Sequence, residues 1–259
     1  MRHAISTLAL FSLVATSCGQ TPQEKSQPSI YGGKKVESGQ WPGAVAITGL
    51  LGMYCSGTLV NPRLVITAAH CISAFSPGGT YVYVGEGWVL GLIKGQYKAL
   101  RKAASPKYDQ QSQGGWNDIG YIVLEKPIDL PASAFVPILT DPEETKELLA
   151  PGKTSHIVGF GNREDGGIGR KYEADATITD VNANEVAIGG GGVDSCQGDS
   201  GGPAYGKLAN GQWRVYGVVS RGGDCGTGGL WGLMGANICW IQKDSGINLN
   251  LPQGTCPEA

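Results

Sequence analysis

The sequence has few charged side chains and few histidines, and each shortage excludes a class of function. Charged residues make up 16% of the 259 residues, and the formal net charge is −2. No excess of positive charge is therefore available to bind nucleic acid or an anionic membrane surface. Only 3 histidines are present, and neither a Cys-x-x-Cys pair nor a calcium-binding loop occurs. We therefore expect no zinc site and no cofactor, while the sequence leaves calcium binding open.

Long hydrophobic runs are also missing after the first 29 residues, so no membrane-spanning helix is predicted there. At the amino terminus, Arg2 and His3 precede an apolar stretch over residues 4–15, and small residues then lead to Cys18. This pattern is typical of a secretory signal and is too short to span a bilayer. We therefore predict an exported protein, either secreted or held in the periplasm or cell envelope.

The end of this signal leaves two outcomes open. Residues 15–18, with the sequence ATSC, resemble a bacterial lipoprotein cleavage box, in which Cys18 would be acylated and would anchor the protein to lipid. Such a box usually has Leu where this chain has Ala15, so ordinary cleavage by signal peptidase is the alternative. Residues 19–29 are polar and are predicted to be a linker or pro-segment. The main domain would then cover residues 30–259.

Glycine is abundant, with 42 residues, and there are 14 prolines. This composition disfavours long helices and favours short strands joined by turns. Ten windows rich in Val, Ile and Tyr are predicted to be strands, and their spacing predicts an all-β barrel or sandwich. The windows are residues 43–49, 53–60, 64–67, 81–84, 119–124, 156–160, 171–181, 185–188, 213–220 and 230–236.

Helices are predicted in only two places. Residues 141–149 would form one or two turns at the surface. Residues 237–243 would form a helix near the carboxyl terminus, with Asn237 as its N-cap and Gly246 as its stop.

Three short motifs supply the groups needed for acyl transfer. They are TAAHC at 67–71, NDIG at 117–120 and DSCQGDSGGP at 194–203. A serine hydroxyl is a weak nucleophile at neutral pH, so a histidine must take its proton and a carboxylate must orient that histidine. Glycines beside the serine would let backbone N–H groups bind the oxyanion. Each residue alone is better explained as structural, but their joint occurrence in this order predicts an enzyme.

With these motifs, residues 30–243 resemble the trypsin/chymotrypsin family of serine proteases. The resemblance implies an all-β fold of two packed six-stranded Greek-key barrels with a carboxyl-terminal helix. It implies that His70 is the general base, Asp118 the orienting acid and Ser200 the nucleophile, with the N–H groups of Gly198 and Ser200 forming the oxyanion hole. The chain would then be a serine endopeptidase that forms an acyl-enzyme and acts as a monomer on protein or peptide substrates.

The resemblance also implies a specificity pocket around Asp194. In the trypsin branch this position is the floor of the pocket, and its carboxylate would attract the Arg or Lys side chain that precedes the cut. Ser195 would add a hydroxyl to the floor, while Ser220, Gly222 and Gly229 would form the walls. The alternative is that Asp194 is a solvated turn residue.

The sequence IYGG at 30–33 resembles the mature amino terminus of these enzymes. In the family, cleavage before this isoleucine frees an α-amino group, which inserts and pairs with the acid before the nucleophile, here Asp199. Residue 29 is Ser29, so an enzyme specific for Arg or Lys would not cut this bond itself. We therefore expect a zymogen that a separate protease activates, or activation without this cut. A simple strand start at Ile30 is the alternative.

Arg221 departs from the family pattern, because that position usually holds tryptophan. A cation there is expected to change the preference for residues upstream of the cut, toward acidic groups. A second class of function also remains open, since protease-like binding proteins exist that lack activity. Such relatives normally lose one of the three catalytic residues, and this chain keeps all three.

Seven cysteines are present, and export would allow them to pair. If Cys18 is the lipid site, an even number remains. The resemblance implies the first two of the following bridges, and elimination leaves the third, which would join the terminal helix to the tail. The pairs are Cys55 with Cys71, Cys196 with Cys225, and Cys239 with Cys256.

Overall fold

The computed structural model of the chain describes residues 30–49, 52–73, 79–87, 92–109, 117–163 and 167–257. The predicted signal over residues 1–18, with Cys18, and the predicted linker over residues 19–29 lie outside the described residues. Within the described part of the chain, no helix combines the length and the hydrophobicity needed to cross a bilayer.

The described residues form thirteen strands and three α-helices. The strands are β1 (Lys34–Lys35), β2 (Ala44–Gly49), β3 (Gly52–Asn61), β4 (Leu64–Thr67), β5 (Tyr81–Gly85), β6 (Ile93–Ala104), β7 (Gly120–Leu124), β8 (Thr154–Gly159), β9 (Tyr172–Val181), β10 (Glu185–Ile188), β11 (Pro203–Lys207), β12 (Trp213–Gly222) and β13 (Gly229–Leu233). The helices are α1 (Ala69–Ser73), α2 (Pro142–Leu148) and α3 (Ile238–Ser245).

Strands β2 to β13 build two closed antiparallel barrels of six strands each, as predicted. The first has the order β2-β3-β4-β7-β6-β5, and β5 pairs back with β2. The second has the order β8-β9-β10-β13-β12-β11, and β11 pairs back with β8. In both barrels the fourth strand returns beside the first, which is the Greek-key arrangement. The short β1 adds to the edge of β9.

Three strands were absent from the sequence prediction, namely the two-residue β1 and the longer β6 and β11. The first six residues of β6 alternate between half-buried and exposed positions, with Lys94, Gln96 and Lys98 facing solvent. One face is therefore charged, and the strand lacks the apolar run that signals burial. Strand β11 begins with Pro203 and contains Gly206, which normally argue against a strand. It is nevertheless almost wholly buried, because it lies between β8 and β12.

Three apolar clusters hold the fold together. One fills each barrel. The third joins the barrels, with Leu64, Ile66 and Tyr121 from the first half and Val158 and Phe160 from the second. Buried residues of α3 extend this cluster. The interface between the barrels is therefore a packed hydrophobic core, which fixes the relative position of loops from the two halves.

The two predicted helices form, with one difference. Asp141 caps α2, since its carboxylate accepts hydrogen bonds from the backbone of Glu143 and Glu144 at 2.8 and 3.0 Å. At α3, Gly246 ends the helix with φ of 70°, as expected of a C-terminal glycine. Asn237 is the N-cap residue of α3, as predicted, but its side chain makes no capping bond. Instead, its oxygen accepts a hydrogen bond from Ser105 at 2.7 Å.

Three disulfides join Cys55 to Cys71, Cys196 to Cys225 and Cys239 to Cys256. The first two flank the loops that carry His70 and Ser200. The third ties α3 to the tail of the chain. They are the pairs expected from the sequence, and they suit an oxidising compartment.

Replacing both Cys239 and Cys256 with serine is expected to lower the free energy of unfolding by about 3 kcal/mol, because the bridge closes a loop with a sequence separation of 17. Urea unfolding followed by tryptophan fluorescence would measure the change. An unaltered urea midpoint would contradict the expected stabilisation.

Candidate active site

His70 and Asp118 meet because β4 and β7 are paired neighbours. His70 lies in α1, immediately after β4, and Asp118 lies just before β7, with Thr67 opposite Gly120 in the ladder. The His70 Nδ1 atom is 2.8 Å from Asp118 Oδ2, and the His70 backbone N–H donates to Asp118 Oδ1 at 2.9 Å. The Asp118 side chain is 4% exposed and that of His70 is 31% exposed. A buried carboxylate thus holds a histidine whose ring still reaches solvent.

A third hydrogen bond reaches the same carboxylate from the second barrel. The Ser220 hydroxyl, in β12, donates to Asp118 Oδ2 at 2.7 Å. From the sequence, Ser220 is expected in the wall of the substrate pocket. Its side chain is instead directed to Asp118, so any contact with substrate would come from its backbone. Asp118 is therefore fixed by both halves of the molecule.

Ser200 lies on the loop between β10 and β11, and this loop packs against the segment that precedes His70. The Ser200 carbonyl accepts a hydrogen bond from the backbone N–H of Ser56 at 2.8 Å. Gly201 has φ of +77°, and a Cβ atom there would lie 2.0 Å from Thr67 Oγ1. Only glycine permits this conformation and this close approach. The sequence Ser-Gly thus brings Ser200 beside the His70 segment.

The Ser200 hydroxyl forms no hydrogen bond to the His70 ring in the described part of the chain. The ring nitrogen Nε2 is the one that Asp118 does not engage. Catalytic hydrogen bonds are often long before substrate binds and tighten only in the complex. The arrangement can therefore transfer a proton from Ser200 to His70 once a bound substrate brings the hydroxyl within hydrogen-bond distance of Nε2.

The loop that carries Ser200 contains backbone N–H groups that lack an acceptor among the described residues. Those of Gly198 and Ser200 donate to no described residue. Gly198 has φ of +95°, and its carbonyl accepts a hydrogen bond from the Ser56 hydroxyl at 3.0 Å. That bond fixes the orientation of the peptide on one side of the turn. The free N–H groups can then receive an anionic oxygen.

Asp194 is buried, with 1% of its surface exposed. Its Oδ1 accepts hydrogen bonds from the Ser195 backbone at 2.6 Å and from the Ser195 hydroxyl at 3.3 Å, and its Oδ2 accepts from the Gly228 backbone at 2.9 Å. Burial raises the pKa of this carboxyl, and these hydrogen bonds oppose the rise. No cation pairs with Asp194 within the described residues. A buried carboxylate without a counterion favours binding of a cation.

The predicted wall residues Gly222 and Gly229 do lie against this carboxylate. A Cβ atom at Gly222 would be 3.9 Å from Asp194 Oδ2, and one at Gly229 would be 3.2 Å from Asp194 Oδ1. Side chains at these positions would therefore crowd the carboxylate. The lack of side chains leaves the space above Asp194 open.

Asp199 is fully buried and faces Ile30, which is also fully buried. Burial raises the pKa of the Asp199 carboxyl to about 7. Backbone N–H groups of Cys196, Gly161 and Ile30 oppose this rise, while the negative charge of Asp194 adds to it. The next residue, Tyr31, accepts a hydrogen bond from the Asp194 backbone at 3.0 Å. The segment that starts at Ile30 thus contacts the Asp199 carboxyl group and the backbone of Asp194.

Arg221 forms a two-pronged ion pair with Glu185. Its Nη1 and Nη2 atoms lie 2.5 and 2.9 Å from the two carboxylate oxygens. The Glu185 side chain is only 5% exposed. The charge of Arg221 is therefore already neutralised within the chain, which removes the physical basis for the expected preference for acidic groups upstream of the cut.

Several residues around the site escaped the sequence analysis. Gly161 and Gly228 contribute only backbone N–H groups, and Glu185 lies in an ordinary strand, so no motif marked them. Trp231 is fully buried, and its ring would lie 3.2 Å from a Cβ atom at Gly229. Its Nε1 has no acceptor among the described atoms. Trp231 therefore offers an unused donor beneath the pocket.

One group of three potential metal ligands occurs in the described part of the chain, formed by Cys55, His70 and Cys71. The two sulfur atoms are joined in a disulfide, so neither is a thiolate. The Nδ1 atom of His70 faces Asp118. The group is therefore unsuited to binding a metal ion.

Comparison with known proteins gives consistent matches. A family model described as "Trypsin" matches residues 30–236. Phenoloxidase-activating factor 3 of Holotrichia diomphalia is 28% identical over 88% of this chain and 75% of its own length. Clotting factor C of Tachypleus tridentatus is 28% identical over 82% of this chain, and serine proteinase stubble of Drosophila melanogaster is 26% identical over 89%. The matches span only 24% and 32% of the latter two proteins.

Proposed function

Because the chain belongs to the trypsin family, we propose that it is a serine endopeptidase that cuts after Arg or Lys. The observation that carries this proposal is the buried Asp118 carboxylate, which orients His70 at 2.8 Å in a molecule whose Ser200 loop packs against the His70 segment. Protein or peptide chains with basic residues would be the substrates, and a monomer would suffice for the reaction.

In the proposed mechanism, Ser200 Oγ attacks the carbonyl carbon of the scissile bond while His70 Nε2 takes the hydroxyl proton. Asp118 holds the ring through Nδ1 and stabilises the imidazolium that forms. The N–H groups of Gly198 and Ser200, which lack acceptors in the described chain, would stabilise the oxyanion. His70 then gives the proton to the leaving amine, and a water molecule cleaves the acyl-enzyme by the same steps in reverse.

The proposed specificity depends on Asp194. An uncharged side chain in this pocket would leave the buried carboxylate without a counterion, whereas an arginine or lysine side chain would neutralise it. The Ser195 hydroxyl and the open space at Gly222 and Gly229 support the same assignment.

We also propose that the protein is made as a zymogen and is exported. The contact between Ile30 and Asp199 is the one that a freed α-amino group would convert into an ion pair. Ser29 makes self-cleavage at this bond unfavourable, so a separate protease would cut it. The three disulfides support export to an oxidising compartment. Lipid attachment at Cys18 and simple release of the signal are the two routes to the mature form.

Peptide substrates test the proposed specificity. The chain that begins at Ile30 is expected to hydrolyse chromogenic peptides with Arg or Lys before the cut about 100-fold more efficiently than the matched Phe peptide, since a charge pair in the pocket contributes a few kcal/mol. The measurement is kcat/KM for the three peptides, and Ser200→Ala is the control. A preference for Phe would refute the assignment of Asp194. Absence of any hydrolysis that depends on Ser200 would favour an inactive binding protein.

A further inference from the structure

The guanidinium of Arg221 contacts the hydroxyl that binds Asp118. Besides its two bonds to Glu185, Arg221 Nη1 donates to Ser220 Oγ at 3.4 Å. The same oxygen carries the proton that Ser220 donates to Asp118 at 2.7 Å. A chain of contacts thus runs from Glu185 through Arg221 and Ser220 to Asp118, and from there to His70.

The donor and acceptor properties of these groups fix the direction of each hydrogen bond in the series from Arg221 to Asp118. A guanidinium carries only donors, so the single Ser220 proton cannot point toward Arg221. The Ser220 hydroxyl therefore donates its proton to Asp118. Glu185 fixes the planar guanidinium at two points, which holds the remaining N–H toward Ser220.

We propose that Arg221 is a positioning residue for the Asp118–His70 pair and acts through Ser220. The inference rests on the proposed function, since it concerns the geometry of that reaction. Arg221 does not touch the reacting atoms in this role. It restricts the Ser220 hydroxyl to one orientation, and that hydroxyl in turn holds the Asp118 carboxylate against the His70 ring.

The charges of the residues in this series of contacts are balanced. Glu185 offsets the positive charge of Arg221, so the contact adds orientation without adding net charge near His70. Tyr108 and Asp109 also border this region. Burial raises the pKa of the Tyr108 hydroxyl, the charge of Asp118 raises it further, and the charge of Arg221 lowers it. Tyr108 therefore lies within electrostatic reach of both Asp118 and Arg221.

The test replaces the pair by neutral residues of similar shape, in the double variant Arg221→Gln and Glu185→Gln. Glutamine at 221 offers an acceptor, so the Ser220 proton has an alternative to Asp118. With a blocked single-arginine substrate, kcat is expected to fall about five- to tenfold and KM to stay within about twofold, the size of effect expected for one lost neutral hydrogen bond. Arg221→Lys keeps a group with donors only and should recover part of the loss.

The pH profile separates positioning from a structural effect. In the double variant, Asp118 loses a donor and binds the His70 cation more strongly, so the acidic limb of kcat/KM should move up by about half a pH unit. Glu185→Gln alone leaves the Arg221 charge unbalanced, and the limb should move down by about the same amount.

The chain offers a matched control in the pair of Arg214 and Glu144. These side chains form an equivalent two-pronged contact, with distances of 2.6 and 2.5 Å, near the start of β12 and far from Ser220. The double variant Arg214→Gln and Glu144→Gln should change neither kcat nor the pH profile. If the Arg221 variants behave like this control, or alter only KM, the positioning role is overturned.

A second readout does not need activity. In the Ser200→Ala background, the downfield proton resonance of the His70 Nδ1–H reports its bond to Asp118. We expect it to shift when Arg221 and Glu185 are both replaced, and not when Arg214 and Glu144 are. An unchanged resonance would refute the inference even if the chain hydrolyses peptides. Conversely, a chain without activity but with the expected shift would contradict the proposed function alone.

Discussion

Asp118→Asn is expected to lower kcat about 10⁴-fold, the size of loss that the corresponding change causes in the family's reference enzyme. The carboxylate accepts three hydrogen bonds, from the His70 backbone, the His70 ring and the Ser220 hydroxyl. Asparagine replaces the two carboxylate oxygens by one carbonyl oxygen and one amide NH₂ group. If the asparagine oxygen still accepts the hydrogen bond from the His70 backbone N–H, the amide NH₂ group faces Nδ1 of the His70 ring. That NH₂ group donates to Nδ1, so the ring must carry its own proton on Nε2. That tautomer cannot accept the proton of Ser200.

The chain contains a matched control for this experiment. Asp175 lies 2.8 Å from Nδ1 of His156, the same kind of contact but in the second barrel instead of the first. Asp175→Asn should leave kcat within about twofold, because substitutions away from the site change little. Steady-state kinetics and circular dichroism on both variants would separate a loss of catalysis from a loss of fold. A similar drop in both variants, or a loss smaller than about tenfold at Asp118, would refute the orienting role.

The chain that begins at Ile30 is expected to exceed, in kcat/KM, the chain that retains residues 19–29 by a factor of about 10² to 10³. In the longer chain the Ile30 nitrogen is an amide, so the buried Asp199 carboxyl has no cation. The freed α-amino group supplies one, and losing one partner of a buried ion pair costs about 3–5 kcal/mol. Asp199→Asn should abolish the advantage of the processed chain. Full activity in the longer chain would refute the insertion model.

Ser29 provides a direct way to perform this experiment. Ser29→Arg should let the enzyme cut before Ile30 by itself, so the purified variant should shorten with time. The double variant with Ser200→Ala should stay intact under the same conditions. Intact mass measurement over several hours distinguishes these outcomes.

The two forms should also differ in their response to pH. In the longer chain the Asp199 pKa is about 7, against an ordinary value of 3.8. The folded state binds this proton more tightly than the unfolded state does, so the stabilisation is full below pH 3.8 and is lost as the pH rises to about 7. The melting temperature of the longer chain should therefore fall across this range relative to that of the processed chain. Parallel profiles would contradict the assignment.

Sequence motifs could indicate the candidate site because the groups of the proposed chemistry lie in short local stretches. The TAAHC motif at 67–71 and the DSCQGDSGGP motif at 194–203 each contain both a reactive group and the small residues that position it. Their meeting could be inferred only through the family resemblance, since the β4–β7 pairing that joins His70 to Asp118 is a tertiary feature.

The contacts and the strand that the sequence did not predict share a physical cause. The partner of a polar side chain is chosen by the fold, and no periodicity reveals it. Arg221 is adjacent to Ser220 in sequence, but its neutralising partner Glu185 lies 36 positions earlier on another strand. Asn237 is the N-cap residue, but its side-chain oxygen accepts a hydrogen bond from Ser105, a residue that only the fold brings near it. In the same way, β6 was concealed by the charged face that it turns to solvent.

The proposed catalytic groups are divided between the two barrels, with His70 and Asp118 in the first and Ser200, Ser220 and Asp194 in the second. Under the proposed mechanism neither half could cleave a peptide bond by itself, because neither half contains both the nucleophile and its base. A chain that has folded only one barrel, for example during the proposed export, would then be harmless to the proteins around it. Proteolytic activity would then report that both halves have folded and docked.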